Sequence, residues 1–172
     1  MNAAEGKDPA SGLVRMGEVQ VSCGAEELSC MGVGSGIVMA AYDPKSKVGA
    51  CAHFILPAAP SAFDVGRAAK YVDTGLAELV RQMVSQGADK SQIRCALAGG
   101  SSLKPHDASF VEDLGARNLE AAAQAIEREG IHCMAQDVGG RWGRTVKLST
   151  TDGAVRIQSS VQPQRMLCRL RG

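Results

Sequence analysis

Between Leu28 and Pro57 the chain places glycine at every second position (Gly32, Gly34, Gly36), then an apolar run, GIVMAAY. The turn Asp43-Pro44-Lys45-Ser46 follows, and a second apolar run, VGACAHFIL, closes on Pro57. This segment constrains the fold more than any other. Both runs are short, apolar and β-leaning, and both are bounded by turn residues, as strands are. Asp43-Pro44 supplies strong turn chemistry, because proline presets φ and an aspartate side chain can bond its own backbone. The spacing predicts a hairpin of Gly36–Tyr42 with Val48–Leu56, carrying a lone histidine, His53, near its end.

The rest of the chain reads in the same way. VRMGEVQVS (Val14–Ser22) alternates well enough for a strand, and Ala25–Ser29 reads as a connector. Pro57–Gly66 is a loop, with Asp64 placed to cap the helix after it. Over Arg67–Gln86, apolar residues recur at Val72, Leu76, Leu79, Val80, Met83 and Val84, the stripe of a helix with one buried face. Arg67, Lys70, Glu78 and Arg81 form its solvated side, and Gly87 ends it. Ile93–Ala98 is a strand running into Gly99-Gly100-Ser101-Ser102, and Lys104–Asp113 is loop. A second helix covers Ala116–Glu129, closed by Gly130, and Ile131–Val138 is a strand entering Gly139-Gly140-Arg141-Trp142-Gly143. The strands Thr145–Ser149 and Ala154–Ser159 form a last hairpin around Asp152-Gly153. The strand–helix–strand unit from Ile93 to Val138 favours a right-handed crossover between parallel strands, whereas the hairpins are antiparallel. The expected class is α+β, a single domain with mixed sheets and two main helices. Residues 1–14 read as a disordered leader, 15–160 as the domain, and 161–172 as a frayed tail with no partner element.

Composition excludes several functions. At 172 residues the chain fits one domain, and 45% hydrophobic residues suffice for a core. Only 3% are aromatic, so packing rests on Ala, Val, Leu, Ile and Met. Nineteen basic and eighteen acidic residues nearly cancel, which gives no reason to expect nucleic acid as a partner. No apolar run approaches the roughly 18 residues of a membrane span, and the first residues lack a basic-then-apolar leader. A soluble, cytoplasmic protein without membrane insertion is the expectation.

The six cysteines show no C-x-x-C pair. Cys51, Cys95 and Cys133 sit inside apolar strands, where a free thiol packs as a small hydrophobe, and Cys23 and Cys168 read the same way. No metal or cofactor is expected. Gly99-Gly100-Ser101-Ser102 lacks the Lys-Ser/Thr of a phosphate loop. Gly139–Arg144 reads as a turn between strands, with an anion nest as the alternative. Trp142 is a candidate partner contact. His106 and His132 read as surface or filler. Arg165, Arg169 and Arg171 read as a solvated end, or as residues that steer a partner with an acidic face.

Several motifs agree in order with one family. CMGVGSG (Cys30–Gly36) resembles T-L-G-L-G-S-C, and GACAHFILP resembles the strand that carries A-H-x-x-L-P. Lys70-Tyr71-Val72-Asp73 is similar to R-Y-x-D, and LGARNLEA (Leu114–Ala121) to I-G-x-R-N-x-x-A. DVGGRWGR (Asp137–Arg144) is similar to D-x-G-G-x-x-G-R, and Ile93–Ser101 to a segment ending in F-G-G-A. Together they resemble the chemoreceptor glutamine deamidases, the CheD family, over about residues 16–158. The resemblance implies a layered α/β/β sandwich similar to the cytotoxic necrotizing factor deamidases. It also implies hydrolysis of chemoreceptor glutamine side chains to glutamate with release of ammonia. The implied partners are the chemoreceptor cytoplasmic domain and a CheC-type phosphatase.

By the same resemblance His53 is the catalytic base, seventeen residues after Gly36, with Gly32, Gly34 and Ser35 holding substrate. The family's nucleophilic cysteine falls on Gly36 and its upstream threonine on Cys30. Glycine has no side chain to attack with. Three readings follow: Cys30 serves as nucleophile, with Ser35 a weaker candidate; the scaffold binds receptors or a phosphatase without catalysis; or Gly36 is a variant of an active enzyme.

Overall fold

The computed structural model describes residues 12–61, 65–102 and 113–171. Among the described residues nine strands form two sheets. In chain order they are β1 (Val19–Ser22), β2 (Glu27–Val33), β3 (Ile37–Asp43), β4 (Val48–Phe54), β5 (Arg94–Gly99), β6 (His132–Val138), β7 (Arg144–Ser149), β8 (Ala154–Ser159) and β9 (Arg165–Arg169). Helix α1 (Val72–Ser85) lies between β4 and β5, and α2 (Leu114–Glu129) between β5 and β6. The first sheet is mixed, in the order β1-β4-β3-β5-β6, and the second is antiparallel, β2-β7-β8-β9. Both predicted hairpins form, β3 with β4 and β7 with β8, and β5 and β6 run parallel across α2.

Strand alternation explains the layering. Ile37, Met39 and Ala41 of β3 face the helices and pack with Val72, Leu76, Leu79 and Met83 of α1. Val38, Ala40 and Tyr42 point to the other side, where Leu28, Val33, Val146, Leu148 and Ile157 of the second sheet meet them. Buried on both faces, β3 and β4 read as unbroken apolar runs. β7 instead alternates, with Arg144, Val146 and Leu148 inward, because its other face is not covered by helices. The result is an α/β/β sandwich, in agreement with the expected class.

Five boundaries differ from the sequence reading. Val14 is buried and Leu13 bridges to Ser29, so order begins before residue 15. A turn at Met16-Gly17 then shortens the first strand to β1. The supposed connector Ala25–Ser29 runs into β2, which was hidden because Met31 is 63% exposed and a bulge follows Cys30. Helix α1 starts at Val72, after a 3-10 stretch, Val65–Lys70, interrupted at Arg67; Gly87, at φ 100°, follows its end as expected. The C-terminal arginines are not frayed: β9 pairs with β8, and Leu170 is buried. Charge is how an edge strand discourages further pairing, and here it disguised the strand. Asp64 and His106 lie outside the described residues.

Gly75 of α1 sets how closely that helix sits on the sheet. A methyl group at Gly75 would meet the Phe54 ring at 2.6 Å and the Ala68 carbonyl oxygen at 3.0 Å. Gly→Ala inside a helix ordinarily stabilises by about 0.5–1 kcal/mol. Here overpacking is expected to reverse the sign, so that Gly75→Ala destabilises by about 1–3 kcal/mol in urea denaturation. A stabilised variant would show that α1 does not rest on Phe54.

Candidate active site

The chain passes between the two sheets at adjacent places: at Gly34–Gly36, from β2 to β3, and at Gly139–Gly143, from β6 to β7. The end of β5 joins them. Gly100 N–H donates to the Gly36 carbonyl (2.8 Å) and Ser101 N–H to the Gly34 carbonyl (3.0 Å). Gly139 N–H donates to the Gly99 carbonyl (2.9 Å), and Ser102 N–H to the Gly140 carbonyl (2.8 Å). The buried Ser101 hydroxyl donates to the Trp142 carbonyl (2.7 Å) and accepts from Arg144 Nη1 (2.8 Å). Arg144 also donates through Nε to Asp137 (2.8 Å), whose second carboxylate oxygen is bonded by Arg165 of β9. Arg144 is thus committed internally, and Gly139–Arg144 is a brace between sheets. Gly99 carries φ 111°, and a side chain there would run into the Gly36 carbonyl.

His53 stands at this end of β4. It shares strand parity with Cys51, which packs in the layer between the sheets. It is 3% exposed, and burial lowers its pKa below the ordinary 6.5. The ring is therefore neutral near pH 7 and able to take up a proton. Among the described residues no side chain hydrogen-bonds it. The ring does face the glycine turn. A methyl group built on Gly36 would lie 3.1 Å from His53 Nε2 and 2.6 Å from the Phe54 carbonyl oxygen. Position 36 and the imidazole are therefore brought together, and the backbone has closed on glycine there.

Cys30 is placed differently. It is 0% exposed, lies opposite Val146 in the layer between sheets, and packs there in the same cluster as Cys51. The neighbouring Cys30 thiol, with burial, pushes the Cys51 thiol well above its usual pKa. Gly32 is exposed, and Gly34 and Ser35 are half-buried, so the turn offers its outer side to solvent. A groove of about 650 Å³ begins at Met31 and Gly32 and runs along Thr145, Lys147 and Gln158 on the outer face of the second sheet. Cys133 packs against the helix-side core, as expected, and its neighbour Cys95 lowers its thiol pKa to about 7. Exposed His132 opens β6.

Sequence reasoning missed Asn118. It is 0% exposed on α2, and its Nδ2 donates to the Ser35 carbonyl (2.8 Å) and the Ile55 carbonyl (3.0 Å). Among the described residues its Oδ1 is buried without a donor, and a buried acceptor left unpaired costs about 1–3 kcal/mol. The motif LGARNLEA contained this residue, but nothing in its spacing pointed to a role.

Residues 55–159 match the family described as CheD chemotactic sensory transduction. The chain belongs to the CheD family. Among curated CheD relatives, that of Symbiobacterium thermophilum is 37% identical over 151 residues, spanning 85% of this chain and 90% of the relative. That of Pyrococcus abyssi is 35% identical, spanning 88% and 93%. The Archaeoglobus fulgidus relative is 36% identical, spanning 86% and 92%. Each is described as a "probable chemoreceptor glutamine deamidase CheD". Among the described residues no helix is long and apolar enough to cross a membrane, and no cluster of three or more His, Cys, Asp or Glu is arranged to hold a metal.

Two predictions follow from this CheD-family site. In the unfolded chain His53 titrates at the ordinary 6.5 and in the folded chain below it, so on acidification the unfolded state takes the proton first. Stability is fully present above the ordinary value and declines as pH falls toward the lowered one. His53→Gln is expected to flatten that part of the slope in urea denaturation from about pH 7.5 to about pH 5; an unchanged slope would mean His53 is not held neutral. In the native protein, iodoacetamide should label exposed Cys23 and then half-buried Cys133 long before Cys30, read by peptide mass. Early labelling of Cys30 would contradict its burial.

Proposed function

We propose that this chain is a cytoplasmic chemotaxis protein that deamidates chemoreceptor glutamines, adding water to the side-chain amide to leave glutamate and release ammonia. The observation that carries the reading is the neutral, buried His53 facing the glycine turn at Gly36, in a chain of the CheD family. In this reading His53 acts as general base, and Gly32, Gly34 and Ser35 hold the carboxamide at the exposed side of the turn. A neutral imidazole can accept the proton of the attacking group and return it to the departing ammonia.

A second reading is favoured by one observation, the glycine at position 36. Nothing there can attack a carbonyl, Cys30 is sealed in the layer between the sheets, and Ser35 is the half-buried hydroxyl nearest in sequence. In this reading the chain recognises receptor glutamines, or a CheC-type phosphatase, without hydrolysis.

The test incubates a chemoreceptor cytoplasmic fragment with the unaltered chain, Gly36→Cys, Cys30→Ala and His53→Gln, reading Gln-to-Glu conversion by mass and ammonia release. The deamidase reading expects conversion by the unaltered chain and a loss of about a hundredfold or more in His53→Gln. Loss in Cys30→Ala would make that thiol the nucleophile. Conversion by Gly36→Cys alone would establish recognition without hydrolysis. No conversion and no binding by any variant would overturn both readings.

A further inference from the structure

We propose that Asn118 is a positioning residue that clamps the glycine turn against the strand carrying His53. The inference deepens the glutamine-directed reading and rests on it for its functional meaning. The side-chain amide of Asn118 reaches two carbonyls that no sequence pattern connects. Ser35 immediately precedes Gly36, and Ile55 lies two residues after His53. One planar group thus ties the residue before the candidate attacking position to the chain just beyond the candidate base. The contact in between is the one it sets: Gly36 against the Phe54 carbonyl and the His53 ring.

The orientation of the amide is determined by its partners. Both neighbours are carbonyl oxygens, which accept only, so the NH2 group must face them; turning the amide over would set three oxygens together. The same orientation leaves Oδ1 buried with no donor among the described residues. A residue selected only to fill the space under α2 would be apolar and leave no orphan, because replacing a polar group by an apolar one of like shape avoids that penalty. An unsatisfied buried acceptor calls for an explanation, and the pair of bonds across the site provides it. The two bonds hold the turn down over His53, and burial is the cause that sets the His53 ring apart, with no charged side chain contributing.

The test follows His53 by NMR through a pH titration of the full chain, comparing the unaltered protein with Asn118→Leu, Asn118→Ser and Leu79→Ala. Asn118→Leu keeps the bulk and removes both donors. Leu79→Ala weakens the helix-side core without touching the turn. The expected result is an upward shift of the His53 midpoint toward 6.5 in Asn118→Leu, a smaller shift in Asn118→Ser, which keeps one donor, and no shift in Leu79→Ala. Should Asn118→Leu not fold, the comparison of Asn118→Ser with Leu79→Ala carries the test alone. An unmoved midpoint in the folded Asn118 variants, or an equal shift in Leu79→Ala, would overturn the proposal. The titration needs no receptor, so failure of receptor conversion would defeat the deamidase reading and leave this result standing.

Discussion

The structure depends on a close approach of three backbone segments that only glycine permits. The turn at Gly34–Gly36, the end of β5 at Gly99-Gly100 and the start of α2 at Gly115 lie against one another, with side chains excluded at Gly36, Gly99, Gly100 and Gly115. A side chain at Gly99 would run into the Gly36 carbonyl, and one at Gly115 into the Ser101 carbonyl. The amides freed by this approach bond directly across it, Gly100 to Gly36 and Ser101 to Gly34. That contact lets the chain cross from the outer sheet to the inner one without leaving backbone groups unpaired.

Around this contact the polar groups form a buried frame. Ser101, Arg144 and Asp137 tie the second crossing to the end of β5, and Arg165 carries the frame out to the edge strand β9. Such a network is worth having only when its members are satisfied. Asp137 faces two guanidinium groups, and Ser101 both donates and accepts. His53 stands apart from this frame, lowered in pKa by burial rather than by a partner. The site therefore offers a neutral base beside a backbone turn, and position 36 brings no side chain to it.

What was legible in the sequence follows from period and turn chemistry. The hairpin of β3 and β4 announced itself through two apolar runs and Asp43-Pro44, and α1 through its stripe from Val72 to Val84. His53 and the glycine turn were linked in the sequence only through the family resemblance; the hairpin register, with Val38 opposite His53, is what places them together. β2 was lost because a bulge and an exposed Met31 broke its alternation, and β9 because an arginine stands at each of its ends. Asn118 was invisible for a different reason. Its partners are backbone carbonyls 83 and 63 residues away, and no local pattern encodes such a contact. The burial of Cys30 against Cys51 was equally hidden, because the two thiols belong to different sheets.

The central claim is that His53 faces Gly36 directly, with the backbone closed between them. The most direct measurement is the nuclear Overhauser contact between the Gly36 α-protons and the His53 ring protons in the folded chain. The account predicts a strong cross-peak to the ring, because the Gly36 side-chain direction points at Nε2 and Cδ2 from 3.1 and 3.4 Å. Absence of that cross-peak in the folded chain would contradict it: the histidine would then turn away from position 36 within the layer between the sheets, and the turn would stand alone.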